Sequence, residues 1–422
     1  MARATCGIYE ALWLAKLHQA SVGALYLHLP FCARKCAYCD FSSWATKADD
    51  PLIPAYVTSL QRMLEEADAA GLLQGCQTAY VGGGTPTIAG AWLSKLVASV
   101  MSLAPTINEL TCEANPDSLT DMLLAELPAA GCTRLSVGVQ SLCDAQLKEL
   151  GRIHTVAQAL DRLKAAVATG LFVSCDLMCA IPLQTQESWL ATLEGVIAAG
   201  VGHVSVYPLQ IEEGTPFDLR YASSSCPWND TEVQAERMEE ACKVLESASL
   251  ARYEVASYAK PGQECRHNQA YWTAVPYLGL GTGASSMLTR EGYARLRRLA
   301  PQLPAAGEDV SRVRLTCSDL PNHIAEAQSV SDLHFDLEML SEPQAAAEDL
   351  MLAMRMVRGA GPGLLAHARK VLGKEQVDTA LISCEQRGLV RQQGASWVPT
   401  SRGWLLGNEL YGCMWDLASS VD

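Results

Sequence analysis

Six short apolar runs separated by helical stretches constrain this chain more than any other feature. The runs Ala24–Leu29, Thr78–Val81, Glu109–Glu113, Arg134–Val139, Phe172–Leu177 and His203–Tyr207 are bounded by Gly, Pro or Asn. Between them, Leu52–Ala69, Trp92–Met101, Ser118–Leu127, Ala157–Ala168 and Ser188–Ala198 show apolar residues at helical spacing. Strand and helix in alternation predict parallel βαβ units, and right-handed crossovers curl such units into a barrel or a doubly wound sheet. Both architectures put functional residues at the carboxyl ends of the strands.

Those strand ends carry chemistry. After the first run comes Cys32-Ala-Arg-Lys-Cys36-Ala-Tyr-Cys39. Three thiols on one loop can turn toward a single point and bind a soft metal centre as thiolates. A closed zinc site needs four ligands, whereas an iron–sulfur cube held by three thiolates keeps one iron open to a non-protein ligand. The competing reading is three buried or incidental cysteines in a Cys-rich chain. The next strand ends bring Gly82-Gly-Gly-Thr-Pro-Thr87, Glu113-Ala-Asn115-Pro116, Gly138-Val-Gln140-Ser141 and Asp176. Each alone reads as a turn or a helix cap. In register with the cysteines, they describe one polar pocket.

Composition narrows the class. At 422 residues the chain predicts two to three domains. A net charge of -14 argues against a nucleic-acid backbone as partner; the short basic run Arg295-Leu-Arg-Arg298 reads as a solvated face. No apolar run reaches the ~18–20 residues of a membrane span. Sixteen cysteines in a secreted chain would suggest disulfides. Charges at Arg3, Glu10 and Lys16 argue against a signal peptide, so a reducing cytoplasm is expected.

The cysteine spacing resembles the signature of radical S-adenosylmethionine (SAM) proteins. In that family the amino and carboxylate groups of SAM chelate the open iron, and electron transfer to the sulfonium can release a 5′-deoxyadenosyl radical. More narrowly, Tyr26-Leu-His-Leu-Pro-Phe-Cys32, Cys36-Ala-Tyr-Cys39-Asp-Phe41, Gly82–Thr87, Glu113–Pro116, Leu135–Ser141, Leu150-Gly-Arg152-Ile-His154 and Gly214-Thr-Pro216 resemble the oxygen-independent coproporphyrinogen III oxidase group. The resemblance implies an α/β fold: a partial, six-stranded parallel β/α barrel with a small C-terminal domain, mainly helical and winged-helix-like. It also implies that Cys32, Cys36 and Cys39 hold a [4Fe-4S] cluster. SAM contacts would come from Tyr26, Tyr38, Gly83, Gly84, Thr85, Glu113, Gln140, Arg152 and Asp176. Glycine amides and Thr85 suit its carboxylate or amino group, carboxylates its ribose or ammonium, and Arg152 its carboxylate.

Two features separate the branches of that group. The dehydrogenase type has a further Cys two residues after the third cluster ligand, where this chain has Phe41. Arg266-His267-Asn268-Gln269-Ala270-Tyr271-Trp272 resembles a segment associated with haem binding in the haem-chaperone branch, which implies haem at His267, Asn268, Tyr271 and Trp272. Cys265, two residues before His267, could ligate or attach haem instead, but it is expected to do neither. The expected function is a haem chaperone that binds haem, the cluster and SAM and delivers haem to an acceptor protein, at family level a respiratory enzyme. The alternative is a coproporphyrinogen III dehydrogenase acting by radical oxidative decarboxylation in porphyrin biosynthesis; a radical enzyme with an unrelated substrate is a third reading.

The expected organisation is a helical leader at 1–22 and the barrel at 23–215. A family-specific haem or substrate region follows at 216–298, then a linker or irregular stretch at 299–344, then the helical domain at 345–422. Two departures from the group's pattern stand out. Asp176-Leu-Met-Cys-Ala-Ile-Pro-Leu183 replaces a Tyr-Gly and a later Gly, which makes the loop after the fifth strand less permissive, and Gly283-Ala-Ser-Ser286 lacks a familiar histidine.

Overall fold

The structure, a computed structural model, describes residues 20–221 and 225–420, so the expected leader helix lies almost wholly outside the described residues. The six apolar runs form β1 (Ala24–Leu29), β4 (Thr78–Gly83), β5 (Glu109–Ala114), β6 (Arg134–Gln140), β7 (Phe172–Cys179) and β8 (His203–Pro208). Two short strands, β2 (Phe31–Cys32) and β3 (Trp44–Ala45), lie between β1 and β4. The six long strands pair in parallel and in chain order, β1 to β4 through to β8. The crossover helices begin as the sequence directs: Thr155 and Thr185 each close a capping box at the start of Val156–Ala168 and Gln186–Ala198.

Period-two alternation divides the sheet. Leu25, Leu27, Leu29, Ala79, Val81, Leu110, Cys112, Leu135, Val137, Val173, Cys175, Val204 and Val206 are buried in the main apolar cluster, together with Val57, Leu60, Leu93, Val97, Leu163 and Leu193 of the crossover helices. The opposite face carries Tyr26, His28, Tyr80, Thr111, Glu113, Ser136, Ser174, Asp176, Ser205 and Tyr207. This inner face is polar.

The sheet does not close on itself. The free edge of β1 takes β11 (Tyr277–Leu280) in parallel, and that of β8 takes the antiparallel pair β9 (Ala251–Arg252) and β10 (Ser257–Ala259). Beyond β11 the sheet continues antiparallel through β12 (Ser285–Thr289), β13 (Val310–Cys317) and β14 (Phe335–Ser341), which makes twelve strands. Residues 299–344, expected to be a linker or irregular, therefore supply two sheet strands. Their alternation was masked because arginines and acids occupy the outward positions, where Arg314 pairs with Glu338 across the strands.

Ser341 caps the helix Glu342–Ala353, which opens the C-terminal unit. Helices Pro362–Leu372 and Lys374–Gln386 and the hairpin β15 (Val390–Gln393) and β16 (Ser396–Pro399) follow, around an apolar cluster of their own that includes Leu350, Leu365, Leu381, Trp397 and Met414. This unit is fastened to the sheet by charge and aromatic contacts. Arg312 meets Asp349 in a bidentate pair at 2.5 and 2.7 Å, and the Arg355 guanidinium lies 5.1 Å from the Trp272 ring centroid and 4.2 Å from that of Tyr411.

Candidate functional site

The three cysteines sit on a loop tied at both ends. β2 and β3 pair in parallel, and two backbone bonds, Trp44 N–H to Pro30 O at 2.7 Å and Thr46 N–H to Cys32 O at 2.7 Å, hold the loop's ends together. His28 Nε2 reaches Ser42 O at 2.8 Å from the inner face of β1. The loop thus lies over the carboxyl ends of the strands, above a cavity of about 450 Å³. A cavity of that size suits a nucleoside-sized ligand.

All three cysteines line this cavity, and so do Tyr38, Gly83, Gly84, Thr85, Glu113, Gln140, Arg152 and Asp176. Eight of the nine expected SAM contacts are therefore gathered in one place. The ninth, Tyr26, lines a second, adjoining cavity, with its hydroxyl 3.0 Å from His28 Nδ1 and its ring stacked on Tyr80.

Each of these residues is aimed by a neighbour. Gly83 has a φ of 115°, and a Cβ on Gly84 would sit 2.6 Å from Phe31 O, so glycine alone brings this backbone against the cysteine loop. Glu113 accepts from the Tyr80 hydroxyl at 2.8 Å and from Gly83 N–H at 3.0 Å. Arg152 donates to Asn115 Oδ1 at 2.6 Å and to Gly138 O at 2.5 Å and points Nη1 at Cys36 Sγ, 3.5 Å away. β6 bulges between Gly138 and Gln140, leaving Gln140 at a φ of 66° on the cavity wall.

The electrostatics favour a cationic occupant. Burial raises the Glu113 carboxyl to about 7 and that of Asp176 to about 6, and the two repel each other, so neither keeps its charge easily in the empty cavity. Burial likewise holds the Cys32 and Cys39 thiols above their ordinary range, with repulsion among the three sulfurs adding to it. Three thiolates here require a compensating cation, as a metal cluster provides. The donor set fits an iron–sulfur cluster with one iron left for a ligand in the cavity.

The haem residues expected on Arg266–Trp272 are not brought together. Asn268 lines the first cavity. Tyr271 and Trp272 line the second, of about 620 Å³, beside Tyr26, His28, Tyr277, Met287, Arg314 and Leu352. The two cavities share Asp40, Phe41, Gly83 and Glu113. His267 lines neither. It is 1% exposed, its Nδ1 is 3.1 Å from Thr78 Oγ1 and its Nε2 3.1 Å from the Tyr271 hydroxyl, and burial lowers its pKa to about 3. Both ring nitrogens are thus engaged, and the expectation of a free imidazole for haem iron is not met in this conformation. The helix instead plugs the floor of the inner face: His267 N–H donates to Glu109 at 2.9 Å, and the buried Arg134 donates to Gln263 O and Glu264 O. Cys265 belongs to the same floor, 3.6 Å from Glu109 Oε1, with its thiol pushed up to about 12 by burial, which leaves no thiolate for haem.

Two residues of the site escaped the sequence reading: Tyr80 orients Glu113, and Ser136 donates to Asp176 at 3.0 Å. Asn115, already marked at a strand end, links Thr85 Oγ1 to Arg152. A trace of the missed pair lay in the period-two alternation, where Thr78 and Tyr80 in β4 and Arg134 and Ser136 in β6 share the polar face with 26 and 28, 111 and 113, and 174 and 176.

Comparison with known proteins follows the same lines. The radical SAM superfamily profile matches residues 26–196. The chain is 31% identical to the heme chaperone HemW of Mycobacterium tuberculosis over 391 residues, covering 91% of this chain and 92% of that one. It is 36% identical over 294 residues to a mitochondrial radical S-adenosyl methionine domain-containing protein 1 of Bos taurus, a match that spans 66% of this chain and 65% of the relative, just under two thirds of its length. In three dimensions it resembles coproporphyrinogen III oxidase (HemN) from Escherichia coli, described as a radical SAM enzyme, with a TM-score of 0.73 at 20% identity over 95% of this chain and 92% of that one.

Proposed function

Because the chain belongs to the HemW family of radical SAM proteins, we propose that it is a haem chaperone that holds a [4Fe-4S] cluster, SAM and haem and passes haem to an acceptor protein. The observation that carries the first part is the single cavity that gathers three cysteines, two glycines and Thr85 with Glu113, Gln140, Arg152 and Asp176. Bound there, the cluster would supply an open iron and an electron to the sulfonium. Cys32, Cys36 and Cys39 would hold it. Glycine amides and Thr85 would take the SAM carboxylate or amino group, and Glu113 and Asp176, whose carboxyls burial raises to about 7 and about 6, would be held in the ionised form by the ligand's positive charges.

Haem would lie in the second cavity. Its aromatic walls at Tyr26, Tyr271, Trp272 and Tyr277 suit a flat macrocycle; Arg314 also reaches this wall, where it is already paired with Glu338 and Glu348. His267 would ligate iron only if it left Thr78 and Tyr271. All fifteen cysteines among the described residues are free thiols, and none of the described helices is long and apolar enough to cross a membrane; a cytoplasmic setting is part of the proposal.

Anaerobic reconstitution tests it. Cluster-loaded protein should develop a Soret band on haem titration that weakens in Trp272→Ala, and coproporphyrinogen III with reductant should yield no decarboxylated product. Steady product formation would instead favour the dehydrogenase reading. If Trp272→Ala bound haem as the parent does while His267→Ala did not, the haem would sit at an opened floor rather than in the second cavity.

A further inference from the structure

Past the end of β13 the chain makes an excursion, residues 318–334, before returning as β14. Asp319 is at its root, 8% exposed. Its Oδ2 accepts the His334 N–H at 2.7 Å, which fixes the plane of the carboxylate. Its Oδ1 is approached by two imidazoles at once, His323 Nδ1 at 2.6 Å and His334 Nδ1 at 2.9 Å. The two rings are tilted by 31° with centroids 5.4 Å apart, and the three ligand atoms all lie within 4.8 Å of one another. The His323 and His334 side chains are 41% and 74% exposed, so the far side of the group faces solvent.

We propose that Asp319, His323 and His334 form a binding site for a borderline divalent transition-metal ion, Zn(II) being the type case. The chemistry of the donors selects this class: two imidazole nitrogens and one carboxylate oxygen suit zinc and its neighbours, whereas magnesium and calcium prefer all-oxygen shells. Without metal, both imidazoles must carry their proton on Nδ1 to share one oxygen; a metal replaces both protons and needs the three atoms to spread only slightly. The backbone bond to Oδ2 is the kind of outer contact that orients a ligating carboxylate. Solvent on the open side completes the coordination sphere.

The location gives such an ion leverage over the cluster loop. Cys317, two residues before Asp319, exchanges backbone bonds with Gly283 and Ala284, and a Cβ on Gly283 would meet Ser42 Oγ at 2.7 Å. On its other side the excursion is laced to the helix Leu52–Ala69 by Arg62 to Ala327 O and by Glu66 to Val330 N–H. A metal would clamp the excursion between these two contacts. The site shares no residue with the cluster and haem cavities, and the inference stands or falls separately from the proposed function.

The test uses untagged, cluster-loaded protein, stripped of loose metal by a mild chelator and titrated with Zn(II) by equilibrium dialysis, with Co(II) absorption as a second probe. Iron is assayed in parallel to show that the cysteine site stays filled. One equivalent of zinc beyond the cluster is expected, with a metal-dependent rise in melting temperature. His323→Ala and His334→Ala should each weaken zinc binding at least about 10-fold and abolish the metal-dependent rise, measured against each variant's own melting temperature in chelator. The proposal is overturned if the parent holds no stoichiometric zinc at about 100 μM, the weak end of what a built site would show, or if either variant binds zinc as the parent does. The group would then be a hydrogen-bonded His-Asp-His cluster that only braces the excursion.

Discussion

Glu113→Gln isolates the effect of burying a carboxyl in the cluster cavity. In the fold this carboxyl titrates at about 7 against an ordinary value of 4.5, chiefly because of burial. The sign follows from proton counting. Between these two values the folded chain binds a proton that the unfolded chain has released, so stability falls as pH rises and the full penalty is present above about 7. From those two values the penalty is about 1 kcal/mol at pH 5.5 and about 3 kcal/mol at pH 8.5. Glutamine keeps the shape and never ionises, although its single oxygen cannot take both the Tyr80 and Gly83 bonds, a loss of about 1 kcal/mol at every pH. In cluster-loaded protein without added SAM the variant should therefore match the parent near pH 5.5 and exceed it by about 2 kcal/mol at pH 8.5, worth about 2 °C in melting temperature for a chain this long. Thermal melts of both proteins across that range provide the assay. A difference that does not change with pH would mean that Glu113 is already ionised in the empty cavity, and the case for a cation-seeking site would fail. The same variant should weaken SAM binding at pH 8.

Three further outcomes follow from particular contacts. Ala180 and Leu183 hold φ angles of 53° and 64° at the two positions where the group's pattern has glycine; Ala180→Gly and Leu183→Gly should each stabilise the fold by about 0.5–1 kcal/mol in urea titrations, and a loss of stability in either would show that the loop is not strained. Gly84→Ala drives a methyl into Phe31, so it should cost about 1–3 kcal/mol and lower the iron retained per chain after reconstitution; full iron content would mean that the cysteine loop does not depend on this close approach. Asn268 touches the cluster cavity while Tyr271 and Trp272 touch its neighbour, all on one helix. If that helix transmits occupancy, SAM should change haem affinity by about 5-fold or more and haem should change SAM affinity by the same factor; independent titration curves would remove the helix from any such role.

Much of the fold was legible because apolar spacing and turn residues agree along the first half. β1 and the helix Leu52–Ala69 fall at the limits read from the sequence, and the other five strands run one or two residues longer at their ends. These five strands end on Gly83, Ala114, Gln140, Cys179 and Pro208, mostly polar or small positions at or beside the cavity, which an apolar criterion discards. The sheet extension through β13 and β14 was illegible for a related reason. Its charged positions are satisfied only across strands and against the C-terminal unit, by Glu338, Glu348 and Asp349, and such pairing is not visible in one strand at a time. At the cluster site, strand ends were readable, but the residues that aim them were not, because Tyr80 and Ser136 act from the middle of strands.

The haem segment shows why a motif can be present without forming a motif's site. On a helix, positions four apart share a face and positions one apart diverge by about 100°. His267 and Tyr271 are therefore stacked on one side, and their 3.1 Å bond follows from that spacing. Asn268 is turned away from both. A helix of seven residues cannot present all four side chains edge-on to one flat ligand while its first turn also satisfies Glu109 and Thr78 on the floor. The imidazole's own contacts are buried, and drawing it out would take Thr78 Oγ1 and the Tyr271 hydroxyl away from their ring partners, at a cost of about 1–3 kcal/mol for each group left unsatisfied. Haem iron can draw His267 out only if its bond to the imidazole exceeds that cost. The aromatic half of the same helix, already facing a cavity at Tyr271 and Trp272, faces no such barrier, and it is there that a macrocycle would first be met.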